Sequence, residues 1–444
     1  MQKTSYTYNQ IWKVAYPIFL TLLIQNLIQV INTAFLGRIG EVELGASAIA
    51  GIFYIAMFTI AFGFSTGSQI LIGRRNGEKN YDKIGEIVVG GILFLWIIAL
   101  IIFLVTRFFS ESILERLLSS QNVLKASVEY LDWRIYGLFF STTNVMFRAF
   151  FVGITKTKVL SINAIIMALT NILFDYLLIF GNWGFPEMGI AGAAIASVTA
   201  EAASVLFFII YTFITVDLRK YGLSFLLWKQ IRVIRKILSV SLSLMIQYFL
   251  SLSTWLIFFL AIEQMGETNL AVSNIVRSFY MILGIPVYAL AATSNTLVSN
   301  SIGSGKQSEV ISLIWKISRF SLAIVFVFIL LIGLFPKTAI SIYTNSPELV
   351  NQSIPSLYII LSVLPVMAIG NIFFSSVSGT GNTRSALSIE LIVLCLYCFW
   401  IWFTAIHLRT SLAICWTVEF VYAFFIGLFS LIYFKRSKWM NKRI

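Results

Sequence analysis

The sequence predicts an all-α membrane protein with twelve transmembrane helices in two six-helix lobes. The lobes form a parallel internal repeat with a pseudo-two-fold axis along the membrane normal. Three observations carry this expectation. Of 444 residues, 59% are apolar and only 11% charged, where soluble domains carry roughly a quarter charged residues, and the mean hydropathy is +0.89. Apolar runs long enough to cross a bilayer, about 20 residues each, follow one another along the whole chain. The two halves also align with each other at one fixed offset. A water-soluble globular protein is excluded, and no polar stretch is large enough for a separate soluble domain.

Apolar stretches bounded by charge or by Gly, Pro and Asn predict spans over 11–35, 45–72, 85–107, 126–153, 159–181, 189–216, 233–262, 269–300, 310–335, 350–378, 385–407 and 411–434. Several exceed 25 residues, so tilted or extended helices are expected. Thr21, Gln25, Gln29 and Asn32 interrupt the first, and no small-residue cleavage site follows, so it reads as a span and not a cleaved signal peptide.

The net charge of +13 would suggest nucleic acid in a soluble protein; here it sets topology. Twenty Lys and Arg lie at the termini and in the 2–3, 4–5, 6–7, 8–9 and 10–11 loops, against six in the opposite loops. The positive-inside rule therefore places both termini in the cytoplasm, with the bacterial inner membrane as the expected location. Lys13, Arg134, Arg148, Arg277, Lys316 and Arg319 fall within spans. Lys13, Arg148, Lys316 and Arg319 are placed to snorkel to the inner surface, and Arg134, with Glu129 and Asp132, to sit at the outer interface.

A shift of 226 residues superposes Gly40-Glu41-Val42-Glu43-Leu44 on Gly266-Glu267-Thr268-Asn269-Leu270. It also pairs Ser47 with Ser273, Gly77 with Gly303, Gly153 with Gly379 and Lys158 with Arg384. Six spans per repeat bring both halves into the membrane from the same side. The expected domains are an amino-terminal lobe over 1–216, a basic cytoplasmic linker over 217–236 and a carboxyl-terminal lobe over 237–444. In the linker, Arg219, Lys220, Lys229, Arg232, Arg235 and Lys236 with Trp228 read as a surface for an anionic leaflet.

Buried polar side chains in lipid need a partner or water, so their spacing marks the inward face. Thr21, Gln25, Gln29 and Asn32 stripe the first span; Thr59, Thr66 and Gln69 the second; Ser239, Ser243, Gln247, Ser251 and Thr254 the seventh; Thr293, Thr296 and Asn300 the eighth. Interhelical hydrogen bonding explains any one of these residues. The matched stripes in equivalent spans point to a hydrated cleft, with Gln25, Gln29, Gln69, Gln247, Ser251, Asn300 and Arg277 as candidate lining.

Asp175 is the most informative acid: it follows Asn171 by one helical turn, with no basic residue nearby in sequence. An ionised Asp at the bilayer centre costs about 2.5–3.5 kcal/mol, so Asp175 is expected to be protonated, ion-bound or hydrated, as a proton carrier would be. Pairing with a basic residue from another helix is the structural alternative. At about 1.5 Å per residue, Asp175, Asn32 and Ser197 all fall in the outer half of the membrane. Arg277 could meet an anionic substrate or neutralise Glu201, Glu390 or Glu419. Cys395 and Cys398 have CxxC spacing but no further ligands, and His407 stands alone at a helix end. With three Cys and one His, neither a disulfide scaffold nor a His/Cys metal centre is expected. The chain carries no P-loop, no H-E-x-x-H and no serine elbow, so neither catalytic residues nor a cofactor is expected.

These residues resemble the multidrug and toxic compound extrusion (MATE) family over essentially the whole chain. The matching segments are Ala15-Tyr16-Pro17, Asn32-Thr33-Ala34-Phe35-Leu36-Gly37-Arg38-Ile39-Gly40, Ser68-Gln69 through Arg75-Asn76-Gly77, Gly153 through Thr157-Lys158, Asn171 through Gly181, and Gly192-Ala193-Ala194. The resemblance implies a secondary transporter that exports compounds by alternating access, driven by H⁺ or Na⁺. It implies Asn171 and Asp175 as the cation-coupling pair, Pro17 as a helix-bending proline, and Ser197, with Thr199 as its rival, as a hydroxyl completing the site. Many members have Asp where this chain has Asn32, which weakens the case for sodium. The acidic residues of NorM-type members appear here as Ser251 and Met367, so the chain looks like the DinF-type branch, with coupling confined to the amino lobe.

The expected function is a proton- or sodium-driven antiporter of amphipathic, cationic organic compounds, acting as a monomer. Its partners are then a small-molecule substrate and the bilayer, with no nucleic acid. Two alternatives stand beside it: a flippase for lipid-linked anionic precursors, which would need basic residues such as Arg277 and Arg148, and an intramembrane enzyme, which would need acid/base pairs that one His cannot supply.

Overall fold

The computed structural model describes residues 6–116, 118, 120–223, 230–344, 346–437 and 439–441. Lys3, Trp228, Lys229, Lys438, Lys442 and Arg443, among the expected basic groups, lie outside the described residues.

The described chain is helical. In order it forms α1 (Tyr8–Ile39), α2 (Glu41–Gly77), α3 (Asp82–Glu115), α4 (Gln121–Arg134), α5 (Gly137–Gly153), α6 (Lys158–Phe180) and α7 (Gly189–Thr215). It continues with α8 (Gln230–Glu263), α9 (Glu267–Gly303), α10 (Val310–Leu334), the short α11 (Pro336–Ile340), α12 (Pro347–Gly379), α13 (Thr383–Ile401), the short α14 (Leu412–Trp416) and α15 (Val418–Arg436). Among the described residues eleven helices are long and apolar enough to cross a membrane, and α4 with α5, taken as one bent span, makes a twelfth. The chain is an integral membrane protein.

The expected spans are all present, most of them extended at the ends. The fourth is not one rod: α4 and α5 meet at an angle of 53°. The last begins as α14 and resumes as α15, and α13 runs into a π-helical turn over Trp402–His407.

The 226-residue offset is written into the element boundaries. It carries α2 onto α9 at both ends. It carries the start of α4 onto the start of α12, and with it the cap: Val123 N donates to Ser120 Oγ at 3.4 Å and Leu349 N to Ser346 Oγ at 3.4 Å. A serine at this position satisfies one of the unpaired N–H groups of the first turn. It also carries Gly153 onto Gly379, where a Cβ would lie 3.3 Å from Gln69 O and 2.5 Å from Asn295 O respectively. Gln69 and Asn295 are themselves one offset apart.

Two compact units result. One comprises Leu20–Met245; the other comprises Ile246–Ile444 with Met1–Phe19. The division falls inside α1 and α8, whereas the sequence reading placed it across 217–236. Within the first unit the beginning of α8 is held by a small-residue seam on α2. Added Cβ atoms at Gly63 and Gly67 would lie 2.6 Å from Met245 Cα and 2.7 Å from Ser241 Cα. Ser241 Oγ donates to Phe64 O at 3.0 Å. Such close approach of backbones is how helices associate where lipid removes the hydrophobic incentive. The stretch after α7 folds back onto α3, with Gly85 N donating to Tyr221 O at 2.8 Å and the Lys220 ammonium 4.5 Å from the Tyr81 ring centroid.

In the second unit a core of Phe258, Ile262, Val276, Leu364, Tyr397 and Trp416 binds α8, α9, α12, α13 and α14. Another, with Leu313, Ile317, Phe373 and Val377, joins α10 to α12.

Candidate cation site in the amino-terminal unit

Asn171 and Asp175 stand one turn apart on the same face of α6, and α1 brings Asn32 against them. With the Asn32 amide turned so that its nitrogen faces acceptors, Nδ2 donates to Asn171 Oδ1 at 2.8 Å and to Asp175 Oδ2 at 2.9 Å. The nitrogen also lies 3.1 Å from Ile28 O, one turn back on α1. Asp175 is 0% and Asn171 1% exposed; Asn32 is half-buried and forms the open side of the group.

Asp175 forms no ion pair among the described residues, and its Oδ1 is buried with no hydrogen-bond partner among them. A carboxyl group so placed needs a proton, a small cation or water to complete it. Toward the carboxyl-terminal ends of α1 and α6, Phe35 meets Phe180 edge-on at 5.7 Å, within a cluster that includes Leu36, Ile179 and Ile190. Close packing of α7 on α6 fixes the register: Met188 N donates to Leu178 O at 2.8 Å, and Gly192 leaves no room for a Cβ beside Leu178 O, which would be 2.6 Å away.

The other expected members do not join this group. Thr199 Oγ1 donates within its own helix to Ile195 O at 2.8 Å. Ser197 is half-buried and makes no hydrogen bond to Asn32, Asn171 or Asp175 among the described residues. Pro17 lies inside α1, which continues through it. Gln25 and Gln29 are exposed on α1, whereas Gln69, Gln247 and Asn300 are buried. Ser251 is turned to a carboxylate, its Oγ donating to Glu390 Oε1 at 2.6 Å.

Two charge assignments change. Arg134 is not an interfacial side chain: Nη1 and Nη2 donate to Glu201 Oε2 and Oε1 at 3.0 and 2.7 Å, and the guanidinium lies 3.8 Å from the Tyr54 ring centroid. Tyr54 OH lies 3.1 Å from Ser141 Oγ and 3.3 Å from Glu201 Oε1. Glu201 is thereby neutralised, and Arg134 is withheld from Asp175. Arg277 neutralises no glutamate: among the described residues it forms no ion pair, and it lies 5.0 Å from the Phe259 ring centroid.

The sequence reading missed the Arg134–Glu201 pair, which joins α4 to α7, and the network in which Ser204 Oγ bridges Asn144 Oδ1 and Asn163 Oδ1 at 2.8 and 2.9 Å. Sequence separations of 67, 60 and 41 residues hide both. The readable signal was each side chain's location inside an apolar span.

Among the described residues, up to twelve apolar spans in two repeating units, with a carboxyl buried in one of them that forms no ion pair, define a polytopic membrane protein. The MatE family model matches residues 17–177 and again 240–402, one match per repeat. The chain belongs to the MatE family and is a transporter, not an enzyme. Among its relatives, a probable multidrug resistance protein NorM of Thermotoga maritima is 25% identical over 383 residues, 86% of this chain and 82% of the relative. A probable multidrug resistance protein YoeA of Bacillus subtilis is 28% identical over 202 residues, covering 44% of this chain and 42% of its own. A mutant form of the Vibrio cholerae MATE transporter VcmN matches with a TM-score of 0.87 at 17% identity over 98% of both chains. An outward-facing multidrug resistance MATE family transporter matches with 0.85 at 15% identity, also over 98% of both.

Proposed function

We propose that this chain is a proton-driven exporter of amphipathic, cationic organic compounds, with Asp175 as the group that gains and loses the coupling ion. The observation that carries the reading is the state of the Asp175 carboxyl: buried, held by a neutral amide, with one oxygen unpartnered among the described residues. A proton is the ion that fits best. Asn32 and Asn171 add no negative charge, and a sodium ion would be left with a single charged ligand. The relatives named for multidrug resistance support the substrate class. The absence of acids at Ser251 and Met367 supports the DinF-type branch, and the charge bias of the loops supports an inner-membrane protein with both termini in the cytoplasm. The protein acts as a monomer in this reading.

The test is efflux of a panel of organic cations from proteoliposomes carrying either a pH gradient or a Na⁺ gradient. Each elementary charge moved through 100 mV supplies about 2.3 kcal/mol, enough for accumulation against a modest gradient. Asp175→Asn is expected to abolish uphill efflux driven by the pH gradient while the protein keeps its fold. Full gradient-driven efflux by that variant excludes Asp175 as the coupling group.

Arg277 supports a second reading, a flippase for lipid-linked anions, because its half-buried guanidinium has no carboxylate partner among the described residues. Loss of anionic-lipid transport in Arg277→Ala, with indifference to a proton uncoupler, would favour it.

A further inference from the structure

The carboxyl-terminal unit buries two more acids that the Asp175 mechanism leaves unused. Glu390 on α13 is 0% exposed and Glu419 on α15 is 2% exposed. The two helices run antiparallel, and each contributes one glutamate and one tyrosine to a reciprocal pairing. Tyr422 OH, on α15, donates to Glu390 with its oxygen 3.1 Å from Oε1 and 3.3 Å from Oε2. Tyr397 OH, on α13, donates to Glu419 Oε1 at 3.1 Å. The Tyr397 and Tyr422 rings meet edge to face at 6.2 Å, which closes the series Glu390–Tyr422–Tyr397–Glu419.

The spacing follows from sequence. Tyr397 is seven residues beyond Glu390 and Tyr422 three beyond Glu419, and both intervals return to the same helix face. At 1.5 Å per residue the two carboxyls stand roughly 5–10 Å apart along the helix axes.

Among the described residues neither glutamate forms an ion pair. Among the described residues, the titratable groups beside them are Tyr280 and Tyr288 of α9, Tyr397 of α13 and Tyr422 of α15. All are neutral acids in their ordinary state. Ser251 on α8 adds one more donor to Glu390 at 2.6 Å. One turn before it on the same helix, the buried Gln247 Oε1 has no hydrogen-bond partner among the described residues. It is a spare acceptor adjoining the series.

Two ionised carboxylates this close in an apolar interior repel each other and have lost their hydration. A proton on either resolves both problems, and the tyrosine hydroxyls suit it. Each donates to a carboxylate, and each can accept from the carboxylic O–H when the acid is protonated. We propose that Glu390 and Glu419, linked by Tyr422 and Tyr397, form a second proton-binding site in the carboxyl-terminal unit. Its ligand is H⁺, taken up as carboxylate plus proton to carboxylic acid and returned by the reverse step. Its use in transport rests on the gradient-driven reading above, whereas proton binding itself does not.

The test is pH-difference infrared spectroscopy of the full-length protein in lipid nanodiscs, following the C=O stretch of protonated buried carboxyls. In the Asp175→Asn background, a titrating carboxyl band is expected to persist. Glu390→Gln removes one component and displaces the titration of the other, because the two are coupled; Glu419→Gln does the converse. Tyr422→Phe keeps both components and shifts the frequency of the Glu390 one, a readout independent of losing the acid. Glu390→Asp serves where Gln impairs folding, and is expected to shift the same component.

In weakly buffered solution, proton release on adding an organic cation is expected to fall in Glu390→Gln with Asp175 intact. Absence of a buried carboxyl band in Asp175→Asn, or a band indifferent to all of these substitutions, overturns the proposal. Displacement of the band by Na⁺ at fixed pH overturns the proton assignment. If instead Asp175→Asn retains uphill efflux, the Asp175 reading fails, while bands that respond to positions 390 and 419 still establish this site.

Discussion

Asn32 of α1 and Asp175 of α6 are joined by a hydrogen bond of 2.9 Å, so the carboxyl of the amino-terminal site is held by a neutral amide and not by a cation. This has two consequences. The amide satisfies one carboxylate oxygen without cancelling its charge, which in the proposed mechanism is left for the coupling ion. It also ties the Asp175 carboxyl to the position of α1, because Asn32 donates at once to both α6 side chains.

Replacing the amide with a second acid changes which ion the site can hold. In Asn32→Asp two carboxyls face each other at hydrogen-bond distance and cannot both ionise without a counter-ion. We expect Asn32→Asp to gain efflux driven by a Na⁺ gradient, severalfold above the parent protein in proteoliposomes at constant pH. Continued indifference to Na⁺ would show that position 32 does not set ion choice.

Asn171 accepts from the same Asn32 nitrogen, at 2.8 Å. Asn171→Leu conserves volume and deletes one hydrogen bond, worth about 1 kcal/mol net. The expected result is a melting temperature within a few degrees of the parent, with severalfold slower pH-driven efflux. Equal loss in both measurements would mean that Asn171 serves packing alone.

Much of this site was legible beforehand, and the limits of that legibility are physical. Asn171 and Asp175 announce themselves because their four-residue spacing puts two polar groups on one helix face in an apolar run. Depth puts Asn32 at their level, but it puts Ser197 there too, and only Asn32 bonds to them among the described residues. Hydroxyl residues resist this kind of reading, because a helix offers them its own carbonyls. Thr199 takes Ile195 O in this way, and no spacing rule predicts which hydroxyl will do so. Charged residues resist it for another reason: the partner of Arg134 is 67 residues away on α7, and only packing reveals it. The fold was more open to reading, since the 226-residue offset matches the ends of α2 with those of α9 and one serine cap with another.

The Arg134–Glu201 pair should behave as a buried ion pair does. Removing one partner leaves an uncompensated charge, at a cost of about 3–5 kcal/mol. Glu201→Gln and Arg134→Met are each expected to lower the melting temperature in detergent by several degrees. The combined Arg134→Met, Glu201→Leu variant is expected to recover most of the loss, because apolar residues of similar volume remove both desolvation penalties together. A double variant as unstable as the sum of the singles would show that the two residues act independently.

The seam between α2 and α8 gives a comparison within one helix. Gly63 and Gly45 both lie in α2, so alanine lowers the backbone entropy of the unfolded chain equally at both. Their surroundings differ. At Gly45 an added Cβ meets nothing within 4 Å, whereas at Gly63 it would lie 2.6 Å from Met245 Cα and 2.8 Å from Met245 N. Backbone atoms cannot swing aside as a side chain can, so α8 has to move. Gly45→Ala should therefore be neutral or stabilising by up to about 1 kcal/mol. Gly63→Ala should destabilise by about 1–3 kcal/mol, the usual cost of overpacking. Thermal denaturation of the two variants, measured in the same detergent, decides the matter. Equal melting temperatures would mean that α8 does not rest on α2 at this point.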